Sequence, residues 1–157
     1  MRNVAVAALG AVMAAGIAMA EPVEPGSVAY QDGAVEKSLT GVPGDPESGR
    51  MVMSQRSMGN CVACHQVTAL SDVQWHGEVG PPLDGAGDRW SKAELRGIVA
   101  DAKMMFDGSI MPSFYKNSGY IRPGDGFTGK AAQGTLPPLL TAQQIEDVVA
   151  FLATLKE

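Results

Sequence analysis

The pentapeptide Cys61-Val62-Ala63-Cys64-His65 constrains this chain more than any other feature of its sequence. Residues i, i+3 and i+4 share a face of a helical turn, so both thiols and the imidazole are expected to point the same way. A catalytic dithiol would need a thioredoxin-like βαβ context after the motif, but Ser71, Asp72, Gly77, Gly80, Pro81 and Pro82 read as loop. A structural zinc site closes four ligands, and His76 is the only other histidine, at a spacing no common zinc module uses. A plain disulfide, the ordinary expectation for two cysteines in an oxidising compartment, leaves His65 without a role. Covalent haem attachment gives all three side chains work. Cys61 and Cys64 add to two vinyl groups on one porphyrin edge, and His65 takes the proximal position on the iron.

The first residues fit an exported protein. Arg2 gives a positive start, Val4 to Ala18 is almost wholly small and apolar, and Ala18-Met19-Ala20 ends the run in a small-x-small pattern. Together they predict a secretory signal over residues 1–20, cleaved after Ala20, with a retained anchor as the alternative. The apolar run is short for a bilayer crossing, and no later run approaches ~20 apolar residues, so no membrane span is expected in the mature chain. A length of 157 residues predicts one domain. The formal charge is −5, one unit more negative without Arg2, and the twelve Lys and Arg residues are scattered. Nucleic acid is therefore not an expected partner, because binding it needs a positive surface that displaces counterions from phosphates.

Candidates for the second axial ligand are Met104, Met105 and Met111. Ser91 to Phe106 reads as one helix, opened by a Ser91/Glu94 capping box. Leu95, Ile98, Val99, Ala102, Met105 and Phe106 form its apolar face. That pattern assigns Met105 to packing and turns Met104 nearly opposite. Met111 precedes Pro112, which biases it toward extended backbone, so it falls on a loop beyond the helix, as a distal ligand requires. Met111 is the expected distal iron ligand, with Met104, Met105 or His76 as alternatives. An iron-bound histidine usually donates its second ring N–H to a carbonyl or carboxylate, and the Gly80-Pro81 turn is a candidate source of such a carbonyl. An ordinary Pro-Pro turn is the competing expectation.

The rest of the chain divides simply. Residues 21–44, with Pro22, Pro25 and Pro43, lack sustained periodicity and read as an extended arm, either flexible or laid along a partner. Residues 45–157 form the expected haem domain. Asp45-Pro46 is an N-cap followed by a first-turn proline, opening a helix that should stop near Gly59. Thr141 and Gln144 form a second capping box, followed by an apolar face of Ile145, Val148, Val149, Leu152 and Leu155. Residues 112–138 read as a long loop. The expected class is all-α, with three to four short helices around one covalently bound haem. Aromatics are only 6% of the chain, and small domains struggle to bury enough apolar surface, so the haem is expected to complete the core.

This order of helix, haem motif, Gly-Pro loop, Met-Pro loop and closing helix resembles class I cytochromes c. In that family a glycine of the first helix packs against an aromatic of the last, and Gly49 and Phe151 fit those places. More narrowly, the chain resembles the SoxX family of mono-haem subunits. The matching stretches are Ser38-Leu39-Thr40-Gly41, Gly44-Asp45-Pro46, Gly59-Asn60, Met111-Pro112-Ser113-Phe114-Tyr115, Gly129-Lys130 and the closing Leu140 to Leu152. They span nearly all of residues 28–157; a segment from Gln133 to Pro138 looks inserted. The resemblance implies a periplasmic electron-transfer protein paired with a SoxA-like cytochrome, whose haem is the catalytic centre. It further implies that the complex joins thiosulfate oxidatively to a cysteine of a SoxYZ-like carrier. This chain would pass the electrons to a small cytochrome and hold no catalytic residue itself.

The residues leave two other classes in view. A free, diffusible cytochrome carrier would share every haem feature, although it has little use for an N-terminal arm. A haem enzyme or gas sensor would need Met111 off the iron and an open coordination position.

Overall fold

A computed structural model of the chain describes residues 21–121, 123–124 and 129–157; the expected signal over residues 1–20 lies outside them. Among the described residues four α-helices make the frame: α1 Pro46–Ser54, α2 Ala86–Arg89, α3 Lys92–Asp101 and α4 Ala142–Leu152. Among the described residues there is no strand, only the isolated bridges Gln31–Ala34 and Gly124–Ala131. The architecture is the all-α one expected, and no described helix is long and apolar enough to cross a membrane.

α1, α3 and α4 start where the sequence places them, while α2 is a short helix that no sequence signal announced. Asp45 accepts from the Glu47 and Ser48 N–H groups, with Pro46 in the first turn. Ser91/Glu94 and Thr141/Gln144 both close reciprocal capping boxes, which satisfy donors that a helix N-terminus otherwise leaves unpaired. Two helix ends differ from expectation: α1 stops at Ser54, short of Gly59, where the extended Gln55 turns the chain, and α3 is shorter than its apolar pattern. A single helix to Phe106 does not form: Asp101 is extended (φ −156°, ψ 95°), and its side chain caps a separate 3-10 turn over Ala102–Met104. The apolar periodicity continues past this break, so the pattern alone ran too far.

α1 packs across α4 through Gly49. A Cβ there would lie 2.0 Å from the Asp147 carbonyl oxygen and 2.9 Å from Phe151 Cβ, so only glycine lets the two backbones approach this closely. The pair expected from the class I resemblance thus meets in the structure. Val52, Met53, Ile145, Val148, Val149, Leu152 and Leu155 fill the space around this crossing.

Residues 21–44 lie against the chain's own helices. Val35 and Leu39 are core residues, 3% and 1% exposed. The Val23 N–H donates to Leu39 O at 2.7 Å, and the Val35 N–H to Ala93 O at 2.9 Å. Tyr115 Oη donates to Val23 O at 2.6 Å.

A buried ion pair locks this segment to both long helices. Arg96 of α3 donates Nε and Nη2 to the two carboxylate oxygens of Glu146 on α4, at 2.8 and 3.0 Å, while Nη1 reaches Val35 O at 2.7 Å. The Leu39 N–H donates to Glu146 Oε1 at 2.7 Å. The neighbouring Asp147 accepts from the Asp45 N–H and from Gln143 Nε2, both at 2.9 Å. Adjacent carboxylates of α4 therefore hold Leu39 of the N-terminal segment and Asp45 at the start of α1.

Candidate haem-attachment site

After α1 the chain turns sharply at Asn60, whose φ of 47° is left-handed, and enters a 3-10 turn over Cys61–Ala63. Asparagine tolerates this region better than most residues. The Cys64 and His65 N–H groups both donate to Cys61 O, at 3.1 and 3.0 Å. The motif is thus one tight turn, as its spacing requires, with a 3-10 rather than an α-helical core.

A second loop grips this turn. Gly77 N–H donates to Val62 O, Gly80 N–H to Cys64 O and Leu83 N–H to Gln66 O, at 2.8, 2.8 and 2.9 Å. These bonds bring Pro81 to the histidine, and His65 Nδ1 lies 2.7 Å from Pro81 O. A carbonyl can only accept, so Nδ1 carries the proton and Nε2 keeps its lone pair for a metal. Gly80 closes the contact: a Cβ on it would fall 2.2 Å from His65 Cε1. The ordinary Pro-Pro turn, the competing expectation for this segment, is here the turn that orients the imidazole.

Cys61 and Cys64 are both half-buried and are not joined in a disulfide. Burial pushes the Cys61 thiol up to about 12, with the Cys64 charge adding to the effect. Reactive redox dithiols depend on a depressed pKa and a ready thiolate, and Cys61 is shifted the other way. Among the described residues no group of three or more His, Cys, Asp or Glu side chains could hold a metal ion. The donor set fits a metal that arrives in its own macrocycle: two thiols on one turn, an oriented imidazole and soft thioethers. Met104, Phe106 and Ile110 are exposed on the segment leading to Met111, and Phe106 packs edge-on against Trp90.

His76 has a different task from either one expected of it. The Val67 N–H donates to its Nδ1, and its Nε2 pairs with Leu70 O, both at 3.2 Å. Both ring nitrogens are committed to the turn over Thr68–Leu70, which leaves no lone pair for iron.

The three methionines separate as well. Met104 is 51% exposed. Met105 packs on the N-terminal segment, its Cβ 2.5 Å from where a Gly33 Cβ would stand. Met111 is partly buried against the core, on a loop stitched to α3 and to the residues just before α4. The Tyr115 N–H donates to Ala100 O, and the Leu140 N–H to Phe114 O, both at 3.0 Å. Sequence reasoning missed the contacts that fix this loop, which come from Asp101 and Lys103: Ser113 Oγ donates to Asp101 Oδ1 at 2.7 Å, and Lys103 Nζ to Met111 O at 2.5 Å. Neither residue belongs to a recognisable motif.

Comparison with known proteins agrees with this geometry. The cytochrome c family model matches residues 47–156. The fold is similar to a chain in the crystal structure of SoxXA from P. pantotrophus, with a TM-score of 0.84. The two are 62% identical, over 87% of this chain and 99% of that one. No curated protein matches the chain.

Proposed function

Because the chain belongs to the cytochrome c family, we propose that it works as the SoxX-type electron-transfer subunit of a SoxXA-like complex. It carries one covalently bound haem c, with Cys61 and Cys64 as the thioether residues. His65 is the proximal iron ligand through Nε2, and Met111 is the distal ligand. The observation that carries this assignment is the 2.7 Å contact between His65 Nδ1 and Pro81 O, which orients the ring and leaves the opposite nitrogen free.

The haem supplies a one-electron ferric/ferrous couple. The protein tunes that couple. Pro81 O, accepting from Nδ1, fixes the ring and raises the basicity of Nε2. The neutral, soft thioether of Met111 favours the ferrous state more than a harder or anionic ligand would. On the likeness to SoxXA, the catalytic step would lie on the partner subunit.

Identity of 62% over most of the chain to part of SoxXA supports a SoxA-like cytochrome as that partner. The further chain of expectations follows from the same likeness. A SoxYZ-like carrier protein would present the cysteine to which thiosulfate is joined, and a small cytochrome would take up the electrons. Removal of residues 1–20 at the small-x-small site would place the mature protein in the periplasm.

Two measurements test this function. Met111→Ala is expected to lower the reduction potential, abolish the far-red thioether-to-iron band of the oxidised protein and open the iron to carbon monoxide when reduced. An unchanged spectrum and potential would remove Met111 from the iron. Coexpression with a SoxA-like subunit is expected to give a heterodimer that survives gel filtration. A chain that stays monomeric beside that subunit would instead support the free carrier.

A further inference from the structure

We propose that Lys103, backed by Asp101, is the positioning residue for the distal ligand; the proposal rests on the assignment of Met111 to the iron. The peptide between Met111 and Pro112 has no N–H, because proline lacks one. Its carbonyl is the only hydrogen-bonding group by which the protein can hold that peptide, and Lys103 Nζ donates to it at 2.5 Å. A donor that carries full charge makes a stronger bond than a neutral one. The Met111 N–H has a looser hold, reaching Ser109 Oγ at 3.3 Å.

Lys103 is itself fixed from below. It sits on the 3-10 turn that follows α3, and its backbone N–H donates to Asp101 Oδ1 at 3.2 Å. The same oxygen accepts from Ser113 Oγ at 2.7 Å. Asp101 thus ties the base of the lysine to the residue just beyond Pro112. The result is a bracket: Lys103 holds the ligand's own carbonyl, and Ser113 holds the far side of the Met111-Pro112 unit. Both anchors trace to the break in α3, where the extended Asp101 backbone redirects the chain. Had the helix run on to Phe106, Lys103 would lie on its surface in a different register. The bracket opposes departure of the thioether, because swinging Met111 away requires breaking a charge-assisted bond.

The test uses the haem-loaded protein and imidazole, which competes with a weakly held axial ligand. Lys103→Met keeps the aliphatic stem and removes the donor, while Lys103→Arg keeps the charge and the donor. Lys103→Met is expected to keep the far-red band but to bind imidazole about tenfold more tightly, the weight of about one such hydrogen bond. Lys103→Arg should lie within about twofold of the parent, because its guanidinium still donates to a carbonyl. A lower unfolding midpoint in Lys103→Met with unchanged imidazole affinity would make the lysine merely structural and overturn the proposal. Met111→Ala separates the two claims. If it retains the far-red band, the ligand assignment fails and the bracket with it. If it loses the band while Lys103→Met binds imidazole like the parent, only the bracket fails. Should Lys103→Met yield no haem-loaded protein, Ser113→Ala carries the test, with an expected gain in imidazole affinity of about threefold and no gain as the overturning result.

Discussion

Arg96→Met is expected to lower the folding stability of the haem-loaded protein by about 3–5 kcal/mol, the usual cost of breaking a buried ion pair from one side. The Arg96 side chain is 9% exposed and that of Glu146 6%, so the charges have little water to fall back on. Removal of the guanidinium leaves Glu146 with the Leu39 N–H as its remaining donor and leaves Val35 O without its partner. Three segments then loosen together, because α3, α4 and the N-terminal segment all meet at this pair. Denaturant unfolding measures the effect, and a loss below about 1 kcal/mol would show that water or a neighbour replaces the guanidinium. The double variant Arg96→Met/Glu146→Gln is expected to recover part of the loss. Its amide oxygen still accepts from the Leu39 N–H while the unpaired charge is gone.

Cys61→Ser combined with Cys64→Ser is expected to leave no haem on the chain after denaturing extraction and to give a poorly folded product. The most deeply buried large side chains are Leu39, Met53, Leu70, Leu140 and Ile145, with three valines, and the aromatics Phe114, Tyr115 and Phe151 are buried slightly less completely. A small domain buries a limited apolar surface, and the haem would be the largest single apolar body added to this core. Cys64→Ser alone should keep one thioether link and mature poorly. Far-ultraviolet dichroism and a haem stain after denaturing electrophoresis report on the two effects. Normal haem retention in the double variant would overturn covalent attachment through these residues.

Much of the local chemistry was legible in the sequence because it depends on short spacings. The Asp45-Pro46 start and the Ser91/Glu94 and Thr141/Gln144 boxes each span four residues or fewer, and each formed. The haem motif is local in the same way. Gly49 and Phe151 were legible only through the class I resemblance, since nothing near either residue announces the other. The Gly80-Pro81 turn stood between two equal expectations until the Pro81 carbonyl was found at His65 Nδ1.

Other features depend on what a side chain meets across the fold. The periodicity of Ser91 to Phe106 concealed the break at Asp101, because apolar spacing carries no record of a side chain capping the next turn. His76 looked like a spare ligand or an idle loop residue, and it braces the turn at Val67 and Leu70. Prolines and glycines made residues 21–44 look like an independent arm. Its Val35 and Leu39 are nonetheless core residues, held by partners 61 and 107 positions away in sequence.

By itself, then, the sequence determined the cofactor chemistry, the helical class and the starts of α1, α3 and α4, since each is written in residues within a turn of one another. Only the tertiary structure decided where α3 stops, which groups hold His65 and the Met111 loop, and how the first segment is bound. Those outcomes rest on hydrogen bonds and ion pairs between residues distant along the chain, and such pairs leave no periodic trace in either partner's neighbourhood.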